Sequence, residues 1–485
     1  MSNKIILLES NEIPWRVFDM YAAHRPASAL ARLRDQAVGF ETFTEDRLAL
    51  DPWISWPTFH RGVTDEKHQI LHLGQPVREI DMQFPPIWKI LKQNARSVGV
   101  FGSLYSSNLP DDVRDYAFYL PDYFDDKVFA HPRELLPFQA LNVSMTRASA
   151  RNVSRRIPKR LLWNFARTAR RSGLRLNTVG SSIAHIASEI VDPTQRIRRR
   201  NFQPMIMADL FVAQLARTLP DFATFYTNHV AAAMHRYWGA AFPGDYDVPM
   251  DAQWIQRYSD EILVAMGKLD VIVAQIMAFV DAHPEYVLLL GGSMGQAAVP
   301  AQETHEFLTI TDPARFMALT GVPGGQWRVQ PAMVPCVCIA VEPAFADAMA
   351  ERLATMSIDG HAMVESKRPL APMSFNRQQD GFFQIFIQFD NYAGDRHLVV
   401  ADARCPLAEA GLGMMAHEDG VNCTAQHVAD GALQVYRAAR RPAADKPAGR
   451  PRISTVDIAP SLMAHFGIRP ADYMTGRPSL APYLD

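Results

Sequence analysis

Short runs of apolar residues alternate along the chain with stretches in which apolar positions recur at helical spacing. Lys4–Leu8, Ser97–Phe101, Phe222–Thr227, Tyr286–Leu290 and His397–Val400 are nearly continuous apolar runs, the pattern of strands buried on both faces. Each gives way to polar or glycine-containing sequence, where a parallel sheet opens its ligand crevice. Strands alternating with helices predict βα units and an α/β fold with a mostly parallel central sheet. Two segments break the alternation. Residues 141–205 read as a helical, arginine-rich insertion. Residues 301–380 read as an α+β insertion, with a strand at Val334–Val341 and a helix at Pro343–Ser357; a further strand is predicted at Phe382–Phe389. The core is then expected from 1–140, 206–300 and 381–485, with an exposed Pro/Ala/Lys/Arg loop at Pro442–Pro451.

With 485 residues, 48% of them hydrophobic and 21% charged, the chain is long and apolar enough for a large buried core, which excludes a disordered protein. A net charge of -2 names no partner, but its distribution does more. Fourteen basic residues lie between Arg147 and Arg200, among them Arg155, Arg156, Lys159, Arg160, Arg170 and Arg171, against Glu189 and Asp192 alone. That excess suits an anionic surface or ligand, or else a solvated helix face. It contains no nucleic-acid-binding module and few aromatics, so nucleic acid is not the expected partner. Cys336 and Cys338 share one face of an apolar run without a second close pair, which predicts buried free thiols rather than a zinc knuckle. Met-Ser-Asn-Lys runs directly into Ile5, too short for a secretory leader, and no uncharged run reaches membrane-spanning length. The expected compartment is the cytoplasm, with no membrane span.

Four segments stand out; the first is structural and the other three carry candidate chemistry. Asp457 and Pro460 suit the start of a helix and Gly467 its end, within Ile453–Ile468, followed by Met474-Thr-Gly-Arg-Pro-Ser-Leu480. Cys423-Thr-Ala-Gln-His427-Val-Ala-Asp-Gly431 places a histidine in a predicted loop. Tyr226-Thr-Asn228-His229-Val-Ala231-Ala-Ala-Met-His235 places another on a helix that follows a strand. Tyr286-Val-Leu-Leu-Leu-Gly-Gly-Ser293-Met294-Gly295 ends a strand in a turn. In this order the segments resemble the alkaline phosphatase superfamily, in its phosphodiesterase, nucleotide pyrophosphatase and sulfatase branch. The resemblance implies that family's three-layer α/β fold and hydrolysis or transfer of a phosphate, sulfate or related ester.

The same resemblance implies an eroded metal site. His235 and His427 stand at positions of metal-binding histidines. The family's carboxylate four residues before His235, ~6 Å away along a helix, is Ala231 here. Its Asp-His turn is Ser293-Met294, and a hydroxyl and a thioether replace hard ligands poorly. Its first-strand Asp aligns with Asn11, while Glu9 and Glu12 are also close enough to point into the site. The nucleophile has two anchors that disagree: the S-x-P pattern nominates Ser55, whereas Gly62 puts Pro52 at that position. His60, Asn228 and Ser293 are candidates for substrate contact. The implied cofactor is at most one divalent metal, zinc or similar, on His235 and His427 with Glu9 or Asn11; without metal, Ser55, His235 and His427 would act as nucleophile, acid and base. An anionic small-molecule or polymeric ester is the expected substrate. The alternative is a catalytically inactive binding protein that retains the scaffold.

Overall fold

The computed structural model describes residues 3–124, 127–148, 157–247, 250–299, 306–367, 369–378, 381–416, 423–438 and 449–484. Arg155, Arg156 and most of the Pro442–Pro451 segment lie outside them. The main sheet has eight strands: β1 (Lys4–Ser10), β2 (Val38–Phe43), β3 (Val98–Phe101), β4 (Phe118–Leu120), β5 (Phe222–Thr227), β6 (Tyr286–Gly291), β7 (Asp430–Arg437) and β8 (Arg452–Ser454). Their spatial order is β8-β2-β7-β6-β1-β5-β3-β4. All neighbours are parallel except β7, which runs antiparallel to both β6 and β2. The fold is therefore α/β with a mostly parallel central sheet, as the alternating pattern predicts.

β1 is central, with Ile5 opposite Phe222 of β5 on one side and Val287 of β6 on the other. Ile5, Ile6, Leu7 and Leu8 are fully buried, because helices cover both faces of the sheet. That is why the strand reads as an apolar run instead of an alternation. Burying each such side chain contributes roughly 1.5–3 kcal/mol. The helices that matter here are α1 (Pro52–Arg61), α2 (Lys159–Ser172), α3 (Leu176–Val191), α4 (Phe202–Thr218), α5 (His229–Ala241), α6 (Glu261–Ala282) and α7 (Ile458–His465). α4, α5 and α6 pack together as one layer, and α1 packs with α7 and the helix Ile87–Gln93 in the other. The helical stretch Ala252–Ala282 is long and apolar enough by composition to cross a membrane. Ile262, Met266, Leu269, Ile272 and Ile276 of α6 are buried in the main core, so the same composition serves a core helix.

A second hydrophobic core, from Leu308 to Leu412, is built on small antiparallel sheets and the helix Ala346–Ala354. It corrects the expected boundary at residue 380. Phe383, Ile385, Leu398 and Val400 belong to this second core, and His397–Val400 pairs with Met356–Ile358 and Ala403–Pro406, not with the main sheet. An apolar run of four records burial but not which core buries it. The main-sheet strands in this part of the chain are β7 and β8. The arginine-rich stretch is helical as expected: α2, α3 and a 3-10 segment at Pro193–Asn201 lead into α4.

Candidate functional site

β1 ends in a turn, Asn11-Glu12, and Glu12 takes the left-handed conformation with φ 61°. A non-glycine residue held there costs about 1 kcal/mol or more and persists only where its surroundings impose it. Asn11 supplies part of that constraint. Its Nδ2 donates to Glu12 Oε1 at 2.6 Å and to Asn228 Oδ1 at 2.7 Å, and its Oδ1 accepts from Trp56 Nε1 at 2.8 Å. The buried Gln296 also donates to Glu12 Oε2, and to the Ala231 carbonyl at 3.2 Å. The carboxylate is thereby aimed over the C-terminal end of the sheet.

Two histidines meet it there. His235 lies on α5 and points Nε2 at Glu12 Oε2, 3.0 Å away. His427, expected in a loop, sits instead on a short strand, Ala425–Val428, paired antiparallel with Gly295–Ala298. Its Nε2 is 3.3 Å from the same oxygen. The pairing puts His427 opposite Gln296, so one register brings both onto Glu12. The ribbon lies close over β7: a Cβ at Gly295 would stand 2.2 Å from the Asp430 carbonyl, so only glycine fits.

The orientation of the two rings is chemically specific. His235 Nδ1 faces the Ala425 carbonyl at 3.2 Å and His427 Nδ1 the Leu50 carbonyl at 2.7 Å. Each ring thus donates through Nδ1 and turns Nε2 towards one carboxylate oxygen, the arrangement by which outer partners orient histidines for metal. In a tetrahedral site with metal–nitrogen bonds of ~2.0–2.1 Å, ligand atoms stand about 3.3 Å apart. Glu12, His235 and His427 fit a divalent ion on that measure, and their ligand atoms all lie within 4.8 Å of one another. Without an ion the same groups pair by charge. Burial works against the charge on Glu12, but His427 and His235 hold its carboxyl well below the usual range. Burial likewise opposes a charged His427, yet Glu12, Asp51 and the Leu50 carbonyl raise it to about 9.

Asp51 completes the floor. It is the residue before the first turn of α1, makes no capping bond to that helix, and its Oδ1 is 3.4 Å from His427 Nδ1. Burial, and then the charge of Glu12, push its carboxyl up to about 6 against the pull of His427 and His235. Glu12, Asp51, Asn228, His235 and His427 all open onto a cleft of about 2150 Å³, bounded by the helical insertion on one side and the second core on another. The basic residues Arg147, Arg199, Arg200, Arg236, Lys367 and Arg377 line it, with Glu12, Asp51 and Glu365 as its acids. Arg199 pairs with Glu189 and Arg377 with Asp347, and the remaining excess of basic lining residues over acids suits an anionic occupant.

Several residues singled out from sequence do not reach the cleft. Ser55 is fully buried, with Oγ 2.7 Å from Ser293 Oγ and 3.2 Å from Met294 Sδ. It lies one turn into α1, below Asp51, so the S-x-P anchor selects an interior position. Ser293 is buried with it and offers nothing to a substrate. These three side chains make a closed, buried cluster. Glu9 and His60 form a separate fully buried pair at 2.8 Å, so neither the ligand role for Glu9 nor the substrate contact for His60 matches its place. Asn11 positions Glu12 and Asn228 and is itself buried. The cysteines are free thiols. Cys336 borders the cleft, and burial, then Asp51, push its thiol up to about 12.

Ser55→Ala is accordingly expected to leave turnover unchanged and to cost about 1 kcal/mol of stability through a lost buried hydrogen bond. Urea denaturation alongside kcat/KM checks this, and loss of turnover with full stability would restore Ser55 to the chemistry.

No family model matches the chain, and no curated protein does. Among solved structures, it is similar to murine ectonucleotide pyrophosphatase/phosphodiesterase 5 with a TM-score of 0.40 and 9% identity, over 96% of each chain. The human counterpart gives 0.39 and 10% over 99% of each. Likeness at this level transfers no chemistry, so what the site does rests on its own geometry.

Proposed function

We propose that this chain is a hydrolase of a phosphate or related anionic ester, dependent on one divalent ion held by Glu12, His235 and His427. The observation that carries the proposal is the single oxygen, Glu12 Oε2, shared at 3.0 and 3.3 Å by two Nε2 atoms whose rings are each turned onto a main-chain carbonyl. A bound ion would supply Lewis-acid polarisation of the ester. The chain's own groups supply the rest. Asp51, with its carboxyl raised to about 6, takes the proton of an attacking water at Oδ1, as a general base near neutral pH should. Asn228, fixed by Asn11, orients an ester oxygen, and the basic lining draws the anion in. The order of the sequence segments resembling ester hydrolases supports the same reading. A two-ion mechanism receives no support, because Ser293 and Met294, where the resemblance implies ligands of a second ion, are closed into a buried cluster with Ser55.

The test is metal analysis of protein purified without chelator, together with hydrolysis of a panel of nitrophenyl phosphate monoesters, diesters and sulfates. One transition metal per chain, lost in His235→Ala together with activity, is expected. Metal-free protein without hydrolysis even after metal is added would overturn the proposal. The closed Ser55–Ser293–Met294 cluster also favours a second reading, a binding protein that keeps the scaffold, and full metal occupancy with no turnover across the panel would select it.

A further inference from the structure

α2 and α3 carry large apolar side chains on the outside of the molecule. On α3, Leu176, Ile183, Ile186 and Ile190 recur at the spacing of one helix stripe, and Leu176, Ile190 and the adjoining Val191 are 86%, 81% and 88% exposed. A soluble helix turns such a stripe inward, whereas α3 turns its polar His185 and Glu189 inward, where Glu189 pairs with Arg199. On α2, Phe165 and Ser172 are the buried side. The opposite side presents Trp163, 67% exposed, among Lys159, Arg160, Arg167, Arg170 and Arg171. Among the described residues none of these five cations pairs with a carboxylate. A tryptophan within a ring of unpaired cations, beside an outward apolar stripe, is the chemistry of a membrane-water interface: the indole and aliphatic groups enter the acyl boundary while lysine and arginine meet headgroup phosphates.

The surface is continuous with the cleft. Leu162 of α2 and Ile186 of α3 are both exposed and both line it, as do Phe138, Leu141, Met145 and Phe202 deeper in. From this placement we infer that α2 and α3 dock the protein on the surface of an anionic lipid bilayer, with the cleft mouth facing the headgroups. The charge selects the bilayer over a second copy of the chain, because a symmetric contact would bring two clusters of like charge together. The inference is independent of the chemistry proposed for Glu12, His235 and His427.

Flotation of the full chain with vesicles tests it. Binding is expected to vesicles of equimolar phosphatidylcholine and phosphatidylglycerol, with at least about tenfold weaker partitioning to phosphatidylcholine alone. Raising salt should weaken binding to the anionic vesicles. The Arg167→Glu/Arg170→Glu and Ile183→Ser/Ile190→Ser variants should each lose at least about tenfold, with unchanged melting temperature and, for any substrate found, unchanged turnover in solution. Equal partitioning to both vesicle types, no binding to either, or a dimer in light scattering that the Ile183→Ser/Ile190→Ser variant dissociates would each overturn the inference. The last would make the stripe a self-association face.

Discussion

Glu12→Ala is expected to abolish divalent-metal retention, lowering affinity by more than about 100-fold, while the chain stays folded. Replacing a group that merely supports a ligand already costs about 10–100-fold, and Glu12 is more central. Among the described residues it is the one acid whose ligand atom groups with those of His235 and His427. Two neutral imidazoles alone cannot offset the desolvation of a dication. Glu12→Gln keeps the shape but not the charge, and should retain little more. Folding should tolerate the change, because the variant releases Gln296 and Asn11 from one partner each while Gln296 keeps the Ala231 carbonyl and Asn11 keeps Asn228 and Trp56. Titration against a chelating metal indicator measures the affinity, and circular dichroism reports the fold. Wild-type stoichiometry and affinity in Glu12→Ala would remove the ion from this site altogether.

The outline of the fold was legible because central strands of a covered sheet leave an unbroken apolar signature, as at Ile5–Leu8 and Tyr286–Leu290. Two main-sheet strands, β2 and β7, are hidden by diluted composition. β2 alternates buried and half-buried residues over Val-Gly-Phe-Glu-Thr-Phe. β7 begins with Asp430-Gly431, and its Gln434 is buried, so it does not read as an apolar run. The histidines were found because their flanking segments carry a pattern. Glu12 was visible only as an alternative to Glu9 and Asn11. Strand periodicity cannot say which of three polar residues in a turn faces a site, and here a left-handed φ at Glu12 decides it. Asp51 was hidden by the conflict between anchors on Ser55 and Gly62. Both are right about α1 as a helix, ending at Gly62 with φ 66°, but neither counts its first turn, where the residue before Pro52 meets the cleft.

The buried pair of Glu9 and His60 separates a structural role from a functional one, and its removal is expected to be the most damaging to stability. Both side chains are fully buried, 2.8 Å apart. His60 stacks against Trp56 and meets Trp88 edge-on. Glu9 Oε2 and His60 Nδ1 have no hydrogen-bond partner among the described residues, so each residue depends on the other. Taking away one partner of such a pair typically costs ~3–5 kcal/mol, because the survivor keeps its desolvation penalty and loses what offset it. His60→Ala adds the cost of a cavity against two tryptophans. Urea denaturation should therefore show a loss of ~3–5 kcal/mol in Glu9→Ala and a comparable loss in His60→Ala. Glu9→Leu/His60→Phe should recover much of it, since apolar groups of similar volume replace buried polar pairs at little net cost. Metal stoichiometry at a temperature where the variants remain folded should match wild type, because Glu12 rather than Glu9 faces the histidines. The opposite pattern, Glu9→Ala with wild-type stability but no metal, would return the ligand role to Glu9. It would require the end of β1 to turn its other face to the cleft, against the register that pairs Glu9 with Tyr226 and Gly291.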